Sequence, residues 1–135
     1  MTMKNKMLFF LGVLSLIMLQ ATLVSQNFIP SEIKKSDIPP GMTEIDLQGT
    51  LDVNPGPNTF EAYADADFVY IYFYQNYGYV NIVIMTESGG TIYDNTINTA
   101  VQSTCIIPTT GFITGRYTLF LNNANGYAEG DFIKQ

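Results

Sequence analysis

Asp65 and Asp67 stand two residues apart in the string Ala64-Asp65-Ala66-Asp67, a close pair of carboxylates. Two carboxylates can work as acid and base on a glycosidic bond when their surroundings push their pKa values apart. No neighbour of this pair in sequence supplies such a difference. Acids at i and i+2 ordinarily flank a turn or open a strand, and that is the expectation here. The same oxygens, joined by Glu61, Asp52 or Asn54, form a candidate calcium set, although EF-hand spacing is absent. Solvated turn acids are the simpler reading. The chain contains no histidine and one cysteine, Cys105. A Ser-His-Asp or Cys-His apparatus cannot be assembled from it. A zinc site built on His or several Cys is excluded as well. No glycine loop precedes a helix, so no phosphate cradle is visible. No catalytic, cofactor or metal residue is assigned, and an enzyme is not expected.

The residues most able to recognise something are tyrosines. In "DFVYIYFYQNYGYVNIVIM", residues 67–85, Tyr70, Tyr72 and Tyr74 alternate with Val69, Ile71 and Phe73. Alternate residues of a strand point to opposite faces. The return run offers Val80, Ile82 and Ile84 on one face. A tight turn around Asn76-Tyr77 would pair Phe73 with Val80, Ile71 with Ile82 and Val69 with Ile84. The other face would then pair Tyr74 with Tyr79, Tyr72 with Asn81 and Tyr70 with Val83, with Tyr63 and Tyr77 extending it. The expected binding surface is thus Tyr70, Tyr72, Tyr74 and Tyr79. Plain covering of a sheet is one account of these rings, since tyrosine is a good strand former with a wet hydroxyl. A protein contact is another, since tyrosine is enriched in interfaces. Glycan stacking is a third, weakened by the absence of tryptophan.

These residues need a scaffold and an address. The chain has 135 residues, enough for one domain. Lys4 and Lys6, the apolar run from Met7 to Leu19, and the more polar stretch Gln20 to Ser25 read as a signal peptide over residues 1–25. The run is short for a membrane span. An uncleaved segment would be the one route to a membrane. No cysteine directly follows the apolar run, so no lipid anchor is expected. Export to the periplasm or the cell exterior is the expectation. The formal net charge is −6, and loss of Lys4 and Lys6 makes the mature chain more acidic. Nucleic-acid binders need a basic footprint, so nucleic acid is excluded as a partner. With Cys105 alone, an internal disulfide is impossible and the core must hold the fold.

Residues 26–42 carry Pro30, Pro39 and Pro40 without apolar periodicity and read as a linker. Residues 43–135 read as the folded domain. Eight strands are predicted: Thr43–Leu51, Thr59–Ala64, Phe68–Tyr74, Tyr79–Thr86, Thr91–Thr99, Val101–Ile107, Arg116–Leu121 and Tyr127–Lys134. Turn signals separate them, among them "DVNPGPN", "ESGG" and "NNANG". Short strands at such intervals imply an all-β, antiparallel immunoglobulin-like sandwich of about seven to eight strands. Tyr117, opening a late strand after a long loop, is placed to bond back to that loop through its hydroxyl. Cys105 is expected to be a small buried or half-buried apolar residue.

The ordered strings "EIDLQGTL", "FEAYADADFVYIYF", "NYGYVNIVIMTESGGTIYDNTINT" and "GRYTLFLNNANGYAEGDFI" resemble the domain of unknown function family 3244. The likeness covers residues 43–134. It implies a short exported Gram-negative protein with an immunoglobulin-like sandwich and no assigned activity. It supplies no catalytic or ligand residues. Gly90, Ile92, Tyr93, Gly115, Tyr117 and Leu119 also resemble the C-terminal sorting domains of type IX secretion. Those domains follow a large cargo, and a common fold is enough to explain that likeness. The resulting expectation is a non-catalytic protein-interaction or structural envelope module. A small-ligand module, for glycan or calcium, is the alternative. The oligomeric state is not fixed by the sequence.

Overall fold

The computed structural model describes residues 38–54 and 59–135. The signal segment 1–25, most of the linker and residues 55–58 of the "DVNPGPN" turn lie outside them. The described residues form nine strands. They are β1 (Thr43–Ile45), β2 (Gln48–Thr50), β3 (Phe60–Ala64), β4 (Phe68–Phe73), β5 (Tyr79–Thr86), β6 (Thr91–Asn98), β7 (Thr104–Pro108), β8 (Gly115–Asn122) and β9 (Tyr127–Lys134). Two antiparallel sheets result, β1-β3-β4-β7 and β2-β9-β8-β5-β6. The fold class is the one expected. The strand number is higher because the single predicted strand Thr43–Leu51 divides. Its first half joins β3 and its second half joins β9, with Asp46 and Leu47 crossing between the sheets.

Alternation selects the core. Val69, Ile71 and Phe73 on β4, with Val80, Ile82 and Ile84 on β5, are all buried. Leu119 and Leu121 from β8 and Ile107 from β7 join them. Each such side chain contributes about 1.5–3 kcal/mol by leaving water.

The expected β4–β5 hairpin does not form. β4 pairs with β3 and β7, so Ile71 lies opposite Ala62 and Cys105. β5 belongs to the other sheet, between β6 and β8. The two apolar rows face one core from opposite sheets. Residues 74–78 carry the chain over the gap of about 10 Å between packed sheets. Tyr77 makes the crossing by turning inward. Its ring packs edge-on to Phe60 at 5.5 Å and lies 6.2 Å from Phe73. Its hydroxyl lies 2.6 Å from Thr59 Oγ1 and accepts from the Thr59 amide at 3.2 Å. Tyr77 is therefore a core residue and does not extend an outer tyrosine face.

Two smaller expectations hold. The Tyr117 hydroxyl donates to the Ile113 carbonyl of the preceding loop. Its ring stacks on Phe132 at 5.6 Å. Cys105 is buried with a free thiol, and burial pushes that thiol's pKa up.

Candidate functional site

The outward face of the four-stranded sheet is built by parity. Inward Phe60, Ala62 and Ala64 leave Glu61 and Tyr63 of β3 pointing out. Inward Val69, Ile71 and Phe73 leave Phe68, Tyr70 and Tyr72 of β4 pointing out. Inward Cys105 and Ile107 leave Thr104 and Ile106 of β7 beside them. Register sets these residues in rows. Glu44, Tyr63, Tyr70 and Ile106 form one row, and Glu61, Tyr72 and Thr104 form the next.

Carboxylates fix the rings. The Tyr63 hydroxyl donates to Glu61 Oε2 at 2.9 Å, and the Tyr74 hydroxyl donates to the same atom at 3.1 Å. The Tyr70 hydroxyl donates to Asp65 Oδ2 at 2.8 Å. Rings of Tyr63 and Tyr72 lie 6.2 Å apart, and those of Phe68 and Tyr70 lie 5.9 Å apart. Tyr63 is only 3% exposed although it faces outward, because its neighbours cover it. Tyr70, Tyr72 and Tyr74 are half-buried, and Ile106 is exposed. Burial, the Glu61 hydrogen bond and the negative charge of Glu61 and Glu44 all push the Tyr63 phenol pKa well up. The hydrogen bond to Asp65 is the first cause that raises Tyr70, and burial raises Tyr72. These phenols stay protonated at neutral pH and above.

Tyr79 is not part of this face. It lies on β5 in the opposite sheet, opposite Asn98, and is 71% exposed. The expected pairs Tyr74–Tyr79, Tyr72–Asn81 and Tyr70–Val83 fall with the hairpin that would have made them. Tyr63, in turn, is central rather than an extension. Its alternation with Phe60, Ala62 and Ala64 was the available signal.

Asp65 and Asp67 build the β3–β4 turn. Asp65 Oδ1 accepts from the amides of Asp67 at 2.8 Å and Phe68 at 2.7 Å. Desolvation acts to raise the Asp65 pKa, but these bonds, the Tyr70 hydroxyl and the nearby Lys134 charge outweigh it, and the net shift is downward. A depressed carboxylate adds stability above its unfolded pKa near 3.9 and loses it as pH falls through the folded value. Asp65→Asn should therefore flatten the drop in stability between about pH 5 and pH 2, followed by thermal melting. Its cost at pH 7 should be only about 1 kcal/mol, because the site is partly solvated and Asn keeps the acceptor oxygen.

The calcium set is divided. Asp52 accepts from Gln75 Nε2 beyond the far end of β4, whereas Asp65 and Asp67 precede its start. Glu61 is engaged by two tyrosines. Among the described residues, no group of three or more His, Cys, Asp or Glu is placed to hold a metal ion. A cavity at the β1–β9 end is lined by Thr43, Glu44, Ala64, Asp65, Asp131 and Phe132, among others.

A family model described as "Domain of unknown function (DUF3244)" matches residues 44–134. The fold is similar to a crystal structure of a DUF3244 family protein from Bacteroides vulgatus, described as an immunoglobulin-like β-sandwich. That likeness has a TM-score of 0.63 at 20% identity and covers 70% of this chain and 99% of the other. No curated protein matches the sequence.

Proposed function

The chain belongs to the DUF3244 family, and from its geometry we propose that it is an exported, non-catalytic protein-interaction module. Its contact surface is the tyrosine-lined face of the four-stranded sheet. The observation that carries this is the set Tyr63, Tyr70 and Tyr74, each held in place by a hydrogen bond to Glu61 or Asp65. Rings fixed in advance lose little side-chain entropy on binding. Half-exposed Tyr70, Tyr72 and Tyr74 beside exposed Ile106 supply apolar area with polar tips. Among the described residues the bases are Arg116 and Lys134. Arg116 lies 3.6 Å from Asp131 on the other sheet, and Lys134 donates to the Ala66 carbonyl at the sheet end. The face is thus aromatic and acidic, which suits a protein partner presenting Lys or Arg. Such side chains gain from both the carboxylates and the ring faces.

The non-catalytic part of the reading draws on the turn role of Asp65 and on the lack of histidine. Export draws on the signal-like residues 1–25. A pull-down from native envelope and culture fluid tests the contact. It compares the parent with the Tyr70→Ala/Tyr72→Ala/Tyr74→Ala variant and with Tyr79→Ala, each checked for fold by circular dichroism. The triple variant should lose at least roughly tenfold of the partner recovered, as central aromatic anchors do, and Tyr79→Ala should keep it. Equal recovery by a folded triple variant would return the tyrosines to sheet covering.

A further inference from the structure

The two sheets leave four edges, and three of them are guarded. β1 and β2 are 3 residues long, and β7 has 5 residues and ends in Pro108. Short edges and proline blunt unwanted pairing. β6 is different. It runs 8 residues as TIYDNTIN, without proline, lysine or arginine. Among the described residues its one strand partner is β5, and there its other side offers a row of backbone donors and acceptors. Its one charge, Asp94, is held by Asn81 Nδ2 of its own sheet at 2.7 Å.

We propose that β6 is a strand-addition edge that pairs antiparallel with β6 of a second copy of this chain. The pairing joins two five-stranded sheets across a two-fold axis at Asn95.

Register argues for the second copy. Ile84 lies opposite Tyr93 and Met85 opposite Thr91, so Ile92 bulges and the regular run begins at Tyr93. Opposed residues must share a sheet face, so the two-fold axis has to fall on a residue. An axis at Asp94 would set carboxylate against carboxylate. An axis at Thr96 would oppose Asn95 to Ile97. An axis at Asn95 opposes Tyr93 to Ile97, Asp94 to Thr96 and Asn95 to itself. That choice gives an aromatic–β-branched pair twice and no like charges. The net charge of −6 opposes association, so added salt should tighten the pair.

Sedimentation equilibrium of the purified protein, from about 1 to about 500 µM, reads the association. The parent should dimerise reversibly. Thr96→Asp places an acid opposite Asp94 twice and should weaken the dimer roughly tenfold. Thr96→Lys should tighten it, and by more than Asn125→Lys, which makes the same charge change at the β8–β9 turn. Asn95→Cys should oxidise to a covalent dimer, whereas Thr96→Cys and Asn125→Cys should not; buried Cys105 stays out of reach in all three. A parent that stays monomeric over this range overturns the proposal. So does a dimer indifferent to Thr96→Asp whose Asn95→Cys form cross-links no faster than Asn125→Cys.

Discussion

Phe73→Ala should lower the unfolding free energy by about 3–5 kcal/mol, the range for removing a buried aromatic ring. Phe73 is 2% exposed and ends β4 opposite Phe60. Its ring lies 6.2 Å from Tyr77, which in turn packs on Phe60. These three rings close the core where the chain crosses from one sheet to the other. Tyr77 cannot collapse into the void without giving up its bonds to Thr59. The cavity term should therefore be near the upper end. Domains are held by only about 5–15 kcal/mol, so the loss is a large share of the total. Urea unfolding followed by circular dichroism measures it. Phe73→Leu should cost much less, since it refills most of the volume. Equal costs for Ala and Leu would mean that the ring is not what supports the crossing. The result also bears on the proposed contact face, because Tyr72 and Tyr74 flank Phe73 and keep their spacing only while β4 is seated.

Gly130→Val should destabilise by about 3 kcal/mol or more, through overpacking rather than a cavity. Gly130 lies on β9 opposite Leu119, on the core side. A Cβ there would meet the Asp46 carbonyl oxygen at 2.6 Å and Ile45 Cγ2 at 2.9 Å. Both belong to the segment that leaves the first sheet for the second. The close approach of two backbones is what Gly130 permits. Gly49 makes a matching approach from the other side, with φ at 119° and an added Cβ only 2.3 Å from the Tyr127 carbonyl oxygen. A valine at 130 must push the crossing away, which strips β1 from β3 or β2 from β9. Hydrogen exchange should show the amides of β1 and β2 opening first, with β5 and β8 still protected. Uniform loss of protection would mean that the crossing is no separate unit. Gly130→Ala should follow the same pattern at smaller cost.

The sandwich itself was legible because it rests on alternation. Val69, Ile71 and Phe73, and likewise Val80, Ile82 and Ile84, declare their buried face through a period of two. Turn residues punctuate the strands, and two predicted strands, Tyr79–Thr86 and Tyr127–Lys134, match the observed bounds. Tyr117 was legible as well, since its role depends on a loop only four residues away.

Period two names a face but not a neighbour. An apolar row fits equally beside another row in one sheet or across from it in the second, because both arrangements bury the same area. The choice between them fell to the chain between Tyr74 and Gly78, where Tyr77 packs beside Phe73 and found Phe60 and Thr59, two residues that sequence distance had hidden. That single decision sent Tyr79 to the opposite sheet and left Tyr63 at the centre of the aromatic face. The split of Thr43–Leu51 has the same origin. Nothing local marks Asp46 and Leu47 as a crossing; the glycine on β9 that makes room for it lies more than eighty residues away. The sequence by itself determined most of the strands, the buried rows of β4 and β5, the acidity and the absence of histidine chemistry, all of which are local or compositional. Only the tertiary structure decided which strands meet, which tyrosines share a surface and which edge stays open, because those depend on contacts between residues far apart in the chain.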